Sequence, residues 1–274
     1  MKDKKVTVLC LCHNQGEYVE EAIRSVLNQT YQNTELIVID DGSSDKSKQV
    51  ISSTIKGTDI PFIDIKYAIG NCSAFNKGLE QATGDFVIDL AADDILHHDR
   101  IEEGIKTFAE KSIGVEFCNV LHIDQLGQEL RTHFRAEEDV PEGDLYEQLI
   151  TSYFISPPGM MFKRAVIESL GGYDEELSYE DFDFWIRSSR EHAYGYTNKT
   201  LVKKRDVQNS LAKKQFRFLS THQKSTLAVC RKIKALNRHR SEQEALRRRC
   251  FYEMRNCLRQ GNIWLIPSFL RLVF

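Results

Sequence analysis

Apolar runs of strand length alternate with helical spacings over the first two thirds of the chain. Val6 to Cys12 is almost continuously apolar, which predicts a parallel strand buried on both faces, and it stops at the polar turn His13-Asn14-Gln15-Gly16. Val19, Ala22, Ile23, Val26 and Leu27 then recur at spacings of three and four, predicting an amphipathic helix that turns all five inward. Glu35 to Ile39 predicts the second strand. It ends in paired acids, Asp40-Asp41, followed by Gly42-Ser43-Ser44-Asp45, a turn able to cap the helix carrying Val50 and Ile51. Ile63 to Tyr67 predicts a third strand, and Ala74, Phe75, Gly78, Leu79 and Ala82 a helix closed at Gly84. Phe86 to Ala91 is again a strand, and it too runs into paired acids, Asp93-Asp94.

Further on, Ile101, Ile105 and Phe108 mark a helix and Val115 to Ile123 a strand, while residues 125–144 are polar and predict an irregular loop. Ser156-Pro157-Pro158-Gly159 is a turn before Met160-Met161-Phe162, and a helix through Val166, Ile167 and Leu170 stops at Gly171-Gly172. A dense acidic and aromatic segment follows, Tyr179 to Arg187, and Thr200 to Arg205 predicts a last, edge strand. The alternation predicts an α/β fold with a Rossmann-like, mostly parallel sheet flanked by helices. In such a sheet the acidic ends of successive strands meet at one crevice. Adjacent carboxylates such as Asp93 and Asp94 repel, and a cation between them and an anionic ligand relieves that repulsion. A solvated Asp-Asp turn closing a strand is the plainer alternative.

Charge separates the chain into two parts. From Leu211 to Phe274 there are 15 Lys or Arg against 3 Glu, whereas the preceding 210 residues carry 22 basic and 37 acidic groups. This predicts domains at 1–210 and 211–274, the second a basic helical C-terminal extension. Its apolar positions Phe216, Leu219, Cys230, Ile233 and Leu236, then Leu246, Cys250, Met254 and Leu258, fall at roughly helical spacing. Lys213, Lys214, Arg231, Lys232, Lys234, Arg238, Arg240 and Arg247-Arg248-Arg249 cover the other faces, and Ile263 to Phe274 forms an apolar, aromatic tip. That combination suits an anionic membrane surface; the alternative is packing on the acidic body or on a second subunit. No nucleic acid is expected, because charge alone is not a binding motif and no recognised module accompanies it. Seven scattered cysteines form no disulfide framework, and the amino end shows neither a signal-peptide core nor a cleavage site. A cytoplasmic protein is expected, peripheral at the inner membrane face if the tail binds lipid.

The order of motifs resembles the family-2 type of inverting nucleotide-sugar glycosyltransferases, which have the GT-A fold. The resemblance covers roughly residues 4 to 210. It rests on Val6 to Asn14 with Leu27-Asn28-Gln29-Thr30-Tyr31, on Ile39-Asp40-Asp41-Gly42-Ser43-Ser44-Asp45, and on Gly70-Asn71 through Asn76-Lys77-Gly78 with Ala82-Thr83-Gly84-Asp85. Leu90-Ala91-Ala92-Asp93-Asp94, Gly171-Gly172-Tyr173-Asp174 and Glu180-Asp181-Phe182-Asp183-Phe184-Trp185 complete the set.

The resemblance implies roles. Leu11, His13, Asn14, Asp41, Asn76 and Asp93 would bind the nucleotide-sugar donor, a UDP-sugar, with Asp41 accepting from the base and His13 stacking beside it. Asp94 and Asp93 would hold Mn²⁺ or Mg²⁺ on the diphosphate. Asp181 would be the catalytic base that deprotonates the acceptor hydroxyl, and Glu180 would bind the acceptor, a glycan or lipid-linked hydroxyl in cell-surface polysaccharide synthesis. Each acid has a plainer reading: Asp41 as a turn cap, and Asp181 as a helix-start acid favoured by the helix dipole. Two departures stand out. Ala91 occupies a position where many relatives carry an acid, and Val207 replaces the histidine of a closing Arg-x-His pattern at Arg205-Asp206-Val207. They keep open a second reading, a catalytically impaired nucleotide-sugar-binding or scaffold homologue.

Overall fold

The computed structural model describes residues 3–207 and 222–274. All seven residues of β1 (Val6–Cys12) are buried, because the strand has sheet neighbours on both sides. It lies parallel to β2 (Thr34–Asp41) and to β4 (Phe86–Ala91), and β2 is parallel to β3 (Phe62–Ile65). The crossovers are α1 (Val19–Leu27), α2 (Ser47–Thr54) and α3 (Asn71–Leu79). Beyond β4 come the two-residue β5 (Ile95–Leu96), α4 (Arg100–Glu110), β6 (Val115–Ile123) and β7 (Glu129–Thr132). The chain then forms α5 (Tyr146–Thr151), β8 (Met160–Lys163), α6 (Arg164–Ser169), α7 (Asp181–Ser189) and β9 (Tyr194–Arg205). The last helices are α8 (His222–Leu236), α9 (Arg240–Gln260) and α10 (Ile266–Val273).

The sheet order is β3-β2-β1-β4-β8-β6-β9-β5, with β7 on β6. Its amino-terminal half is parallel. The remainder is mixed: β8 runs antiparallel to both β4 and β6, while β9 is parallel to β6. A core of Val8, Cys10, Ile23, Val38, Ile88, Leu90 and Phe108 lies against one face. At the opposite end of the strands from the candidate site, Glu35 accepts hydrogen bonds from Lys5 Nζ at 2.8 Å, Thr7 Oγ1 at 2.5 Å and Thr83 N at 2.9 Å. These bonds join β2 to β1 and to the turn before β4.

Chain contacts divide the molecule into two units. The first comprises Met1–Gly143, Ile155–Tyr173 and His192–Asp206, and holds the sheet; the second comprises Asp144–Phe154, Asp174–Glu191 and Val207–Phe274. The predicted boundary at 210, and with it Phe216, Leu219, Lys213 and Lys214, lies outside the described residues.

Four sequence expectations change. Leu27 is about half exposed, at 49%, so the inward stripe of α1 ends at Val26. The stretch 125–144 is not irregular throughout, since β7 forms an antiparallel hairpin with β6; its four residues are all exposed and carry no alternating signal. The last strand begins at Tyr194 and is not the edge, because β5 pairs outside it. In the tail, Arg249 is buried and Leu258 is 63% exposed. Arg249 donates from Nε to the Ile150 carbonyl at 2.7 Å and lies 4.0 Å from the Tyr153 ring centroid, where a cation over an aromatic face is favourable. No helix among the described residues is long and apolar enough to cross a membrane.

Candidate active site

Three adjacent parallel strands end at the same edge of the sheet. Registers Cys12↔Asp40 and Leu11↔Ala91 set the loops after β1, β2 and β4 side by side, so His13-Asn14, Asp40-Asp41 and Asp93-Asp94 share that edge. Leu11 is buried, and its carbonyl accepts the Ala92 N–H at 2.8 Å, tying the end of β1 to the end of β4.

The first two loops are knitted by Asn14, a non-glycine residue at φ 56°. Asparagine tolerates that left-handed conformation better than most residues because its short polar side chain bonds locally. Its Oδ1 accepts from Ser44 N at 2.8 Å and Asp45 N at 3.3 Å, and its own N–H donates to Ser43 Oγ at 2.8 Å. His13 is held on both nitrogens: Nδ1 donates to the Asp41 carbonyl at 2.6 Å, and Nε2 accepts from Asn14 Nδ2 at 3.0 Å. Because a carbonyl can only accept, this fixes the tautomer as well as the ring plane. A cleft of about 480 Å³ opens beside these loops, lined by Asn14, Gln15, Glu17, Tyr18, Asp45 and Lys46.

Asp41 anchors the approach to α3. Its Oδ1 accepts the Ile69 N–H at 2.7 Å and Oδ2 the Gly70 N–H at 3.0 Å, while the cap of the Ser43 turn falls to Asp40, whose Oδ1 accepts the Ser43 N–H at 2.9 Å. Each Asp41 oxygen retains a second lone pair for a ligand donor. Asn76 is similarly engaged. Its amide bonds Tyr173 reciprocally, Nδ2 to the carbonyl at 2.9 Å and Oδ1 from the N–H at 2.9 Å. Gly172 is required there: its φ is 86°, and a Cβ on it would meet Asn76 Oδ1 at 2.6 Å. Asn76 thus fastens the Gly171-Gly172-Tyr173 turn.

Asp93 and Asp94 are both buried. Burial, then the charge of Asp93, pushes the Asp94 carboxyl well above the usual range. Burial also raises that of Asp93, with a hydrogen bond from the Gln15 side chain acting against it. Asp94 Oδ1 accepts the Arg205 N–H at 2.9 Å. Arg205 is the hub that sequence reasoning missed. Its guanidinium donates to the Asp93 carbonyl at 3.2 Å and to Glu21 Oε2 at 2.7 Å, and it stacks 4.6 Å over the Tyr18 ring. Next to it Asp206 accepts from His122 Nδ1 at 2.9 Å, so that carboxylate already has a partner; burial lowers the imidazole's pKa, with Asp206 opposing.

Two buried, mutually repelling carboxylates are hard oxygen donors of the kind that suit Mg²⁺ or Mn²⁺, with a diphosphate and water completing the shell. No third protein ligand accompanies them: among the described residues, the one group of three His, Cys, Asp or Glu ligand atoms within 4.8 Å is His97, His98 and Asp99. Glu180 and Asp181 belong to the second unit, both half-buried, at the N-cap and first position of α7.

The chain matches the family model described as Glycosyl transferase family 2 over residues 7–171. Among curated relatives, an uncharacterized glycosyltransferase of Rickettsia bellii is 28% identical over 205 residues, covering 75% of this chain and 29% of the relative. A poly-beta-1,6-N-acetyl-D-glucosamine synthase of Staphylococcus aureus is 36% identical over 94 residues, covering 34% of this chain and 23% of the synthase. The chain spans only 29% to 63% of the first such relatives' own length. Among solved structures, S. aureus TarS 1–349 in complex with UDP-GlcNAc matches with a TM-score of 0.76 at 16% identity, over 98% of this chain and 79% of that one. The mannosyltransferase PcManGT from Pyrobaculum calidifontis, in complex with GDP-Man and Mn²⁺, matches with a TM-score of 0.66 at 16% identity, over 98% and 74%. At these identities the structures establish the fold, GT-A.

Proposed function

The chain belongs to glycosyl transferase family 2, and from that premise we propose that it transfers a sugar, with inversion, from a UDP-sugar to a hydroxyl of a glycan or lipid-linked acceptor in polysaccharide synthesis. The observation that carries this reading is the convergence of His13, Asp41 and Asp93-Asp94 at the carboxyl ends of three adjacent parallel strands, the edge where open α/β sheets take nucleotides. The UDP-GlcNAc bound to TarS supports the choice of base, and the poly-N-acetylglucosamine synthase supports the acceptor class.

The residues divide the work. Asp41 accepts from the base through its remaining lone pairs, and the His13 ring, locked in plane on both nitrogens, offers its face for stacking. Asp93 and Asp94 would hold Mn²⁺ or Mg²⁺, which when bound supplies charge to neutralise the leaving diphosphate. Asp181 takes the proton of the acceptor hydroxyl, and Glu180 orients that acceptor. Asp181 stands at the first position of α7, where the helix dipole favours a negative charge. Single displacement by the deprotonated hydroxyl inverts the anomeric centre. A screen of nucleotide sugars for hydrolysis and transfer tests the proposal; a chain that binds UDP yet turns over no donor is the impaired homologue that Ala91 and Val207 also suit.

A membrane role for the tail is supported by one exposed face of α9. Arg248, Phe251, Arg255 and Leu258 follow one another at spacings of three and four, all exposed, and Trp264 and Phe274 are 53% and 89% exposed beyond it. Alternating guanidinium and apolar groups suit an anionic bilayer surface.

A further inference from the structure

Asp183 is 1% exposed, and both of its oxygens are bonded to cations. Arg187, one turn along α7, donates from Nε to Oδ2 at 2.6 Å; Lys232, on α8, donates to Oδ1 at 2.7 Å. The same Lys232 ammonium reaches Asp174 Oδ2 at 2.5 Å, and Asp174 in turn accepts the Glu176 N–H at 3.0 Å. One lysine of the C-terminal extension therefore bridges the turn that enters the second unit and the first turn of α7. A second tie runs in parallel, where the Ser178 N–H donates to Ser225 Oγ at 2.8 Å and the Tyr179 hydroxyl hydrogen-bonds with Thr226 Oγ1 at 2.9 Å. Segment 174–189 is thus laced to α8 at its start, its middle and its buried acid.

We infer that Lys232 is a positioning residue for the acceptor-activating helix: it fixes the first turn of α7, and with it the backbone of Asp181 two residues before Asp183. This rests on the proposed transfer reaction and adds to it that the C-terminal extension is part of the catalytic apparatus. Asp183 is buried, and removal of one of its two cations leaves the other, Arg187, on the same helix. That ion pair cannot hold the helix against anything else. Asp174 loses the ammonium bonded to it at the same time and keeps only the more distant charge of Arg187. A general base displaced by about 1 Å costs on the order of a hundredfold in rate, while donor binding, assigned to residues of the other unit, is untouched.

The test compares the full-length chain with Lys232→Met and Lys232→Arg by amide hydrogen exchange and by steady-state kinetics. Lys232→Met is expected to speed exchange in 174–187 while leaving 6–41 and 86–96 unchanged, and to lower kcat about a hundredfold with donor KM within about twofold. Lys232→Arg, which keeps a cation able to bridge two carboxylates, is expected to restore protection and most of kcat. Unchanged protection in 174–187, a rise in exchange spread over the whole chain, or a loss carried by donor KM would overturn the inference. If the wild-type chain transfers no sugar, the proposed function fails, and the exchange comparison still decides whether Lys232 anchors the segment.

Discussion

Asp94 and Arg205 are joined through a side-chain oxygen and a backbone N–H, 2.9 Å apart and 111 positions away in sequence. The bond fastens the loop after β4 to the end of β9, so Asp94 has a structural duty besides any metal it holds. The two duties separate on substitution. Asp94→Asn keeps an oxygen for the Arg205 N–H and removes the charge. It is expected to melt within about 1 kcal/mol of wild type and to lose metal-enhanced UDP binding by about tenfold or more. Calorimetry with and without Mn²⁺ reads this, and equal metal enhancement in the variant would assign Asp94 to structure alone.

Asp181→Asn preserves shape and the helix start while removing the base. Transfer is expected to fall below about a thousandth of the wild-type rate, with UDP affinity unchanged. Residual turnover near the wild-type level would remove Asp181 from the reaction.

Asn76→Ala breaks both bonds to the Tyr173 backbone and leaves that turn's N–H and carbonyl without their partner. A destabilisation of about 2 kcal/mol is expected, measured by denaturant unfolding. If the variant unfolds like wild type, the reciprocal pair contributes nothing to stability.

Burial raises the Glu35 carboxyl, but hydrogen bonds from Lys5, Thr7 and Thr83 outweigh it and hold it at about 2. The folded-state pKa therefore lies below the ordinary 4.5, so its stabilisation is complete above about 4.5 and is lost as pH falls through about 2. Glu35→Gln is expected to cost on the order of 1–2 kcal/mol at pH 7 and to flatten the loss of thermal stability between those pH values. The same acid slope in both proteins would contradict the assignment.

On liposomes, Arg255 and Arg259, both exposed on α9, should each contribute about 1 kcal/mol to binding of an anionic surface. Replacing both by glutamine is expected to reduce flotation affinity about thirtyfold, and no binding difference between anionic and neutral vesicles would exclude the membrane.

Much of this molecule was legible in its sequence. Strands β1, β2 and β4 lie parallel to one another and are mostly buried, so each reads as a largely apolar run, and the acids that end them stand out. β7 was hidden because all four of its residues face solvent, and the first half of β9, before the predicted Thr200–Arg205 run, because Asn198, Lys199 and Thr200 are exposed in the strand's middle. The fastening roles of Asn76 and Arg205 were not legible at all. Their partners lie 97 and 111 positions away, and a single sequence holds no record of which distant backbone groups meet.

The Asn14 knot has a thermodynamic consequence. The loops after β1 and β2 are already cross-bonded at Ser43, Ser44 and Asp45, with the His13 ring locked between them. For a nucleotide bound at the proposed site, these two loops have little backbone left to order, so they add only a small entropic penalty to its affinity.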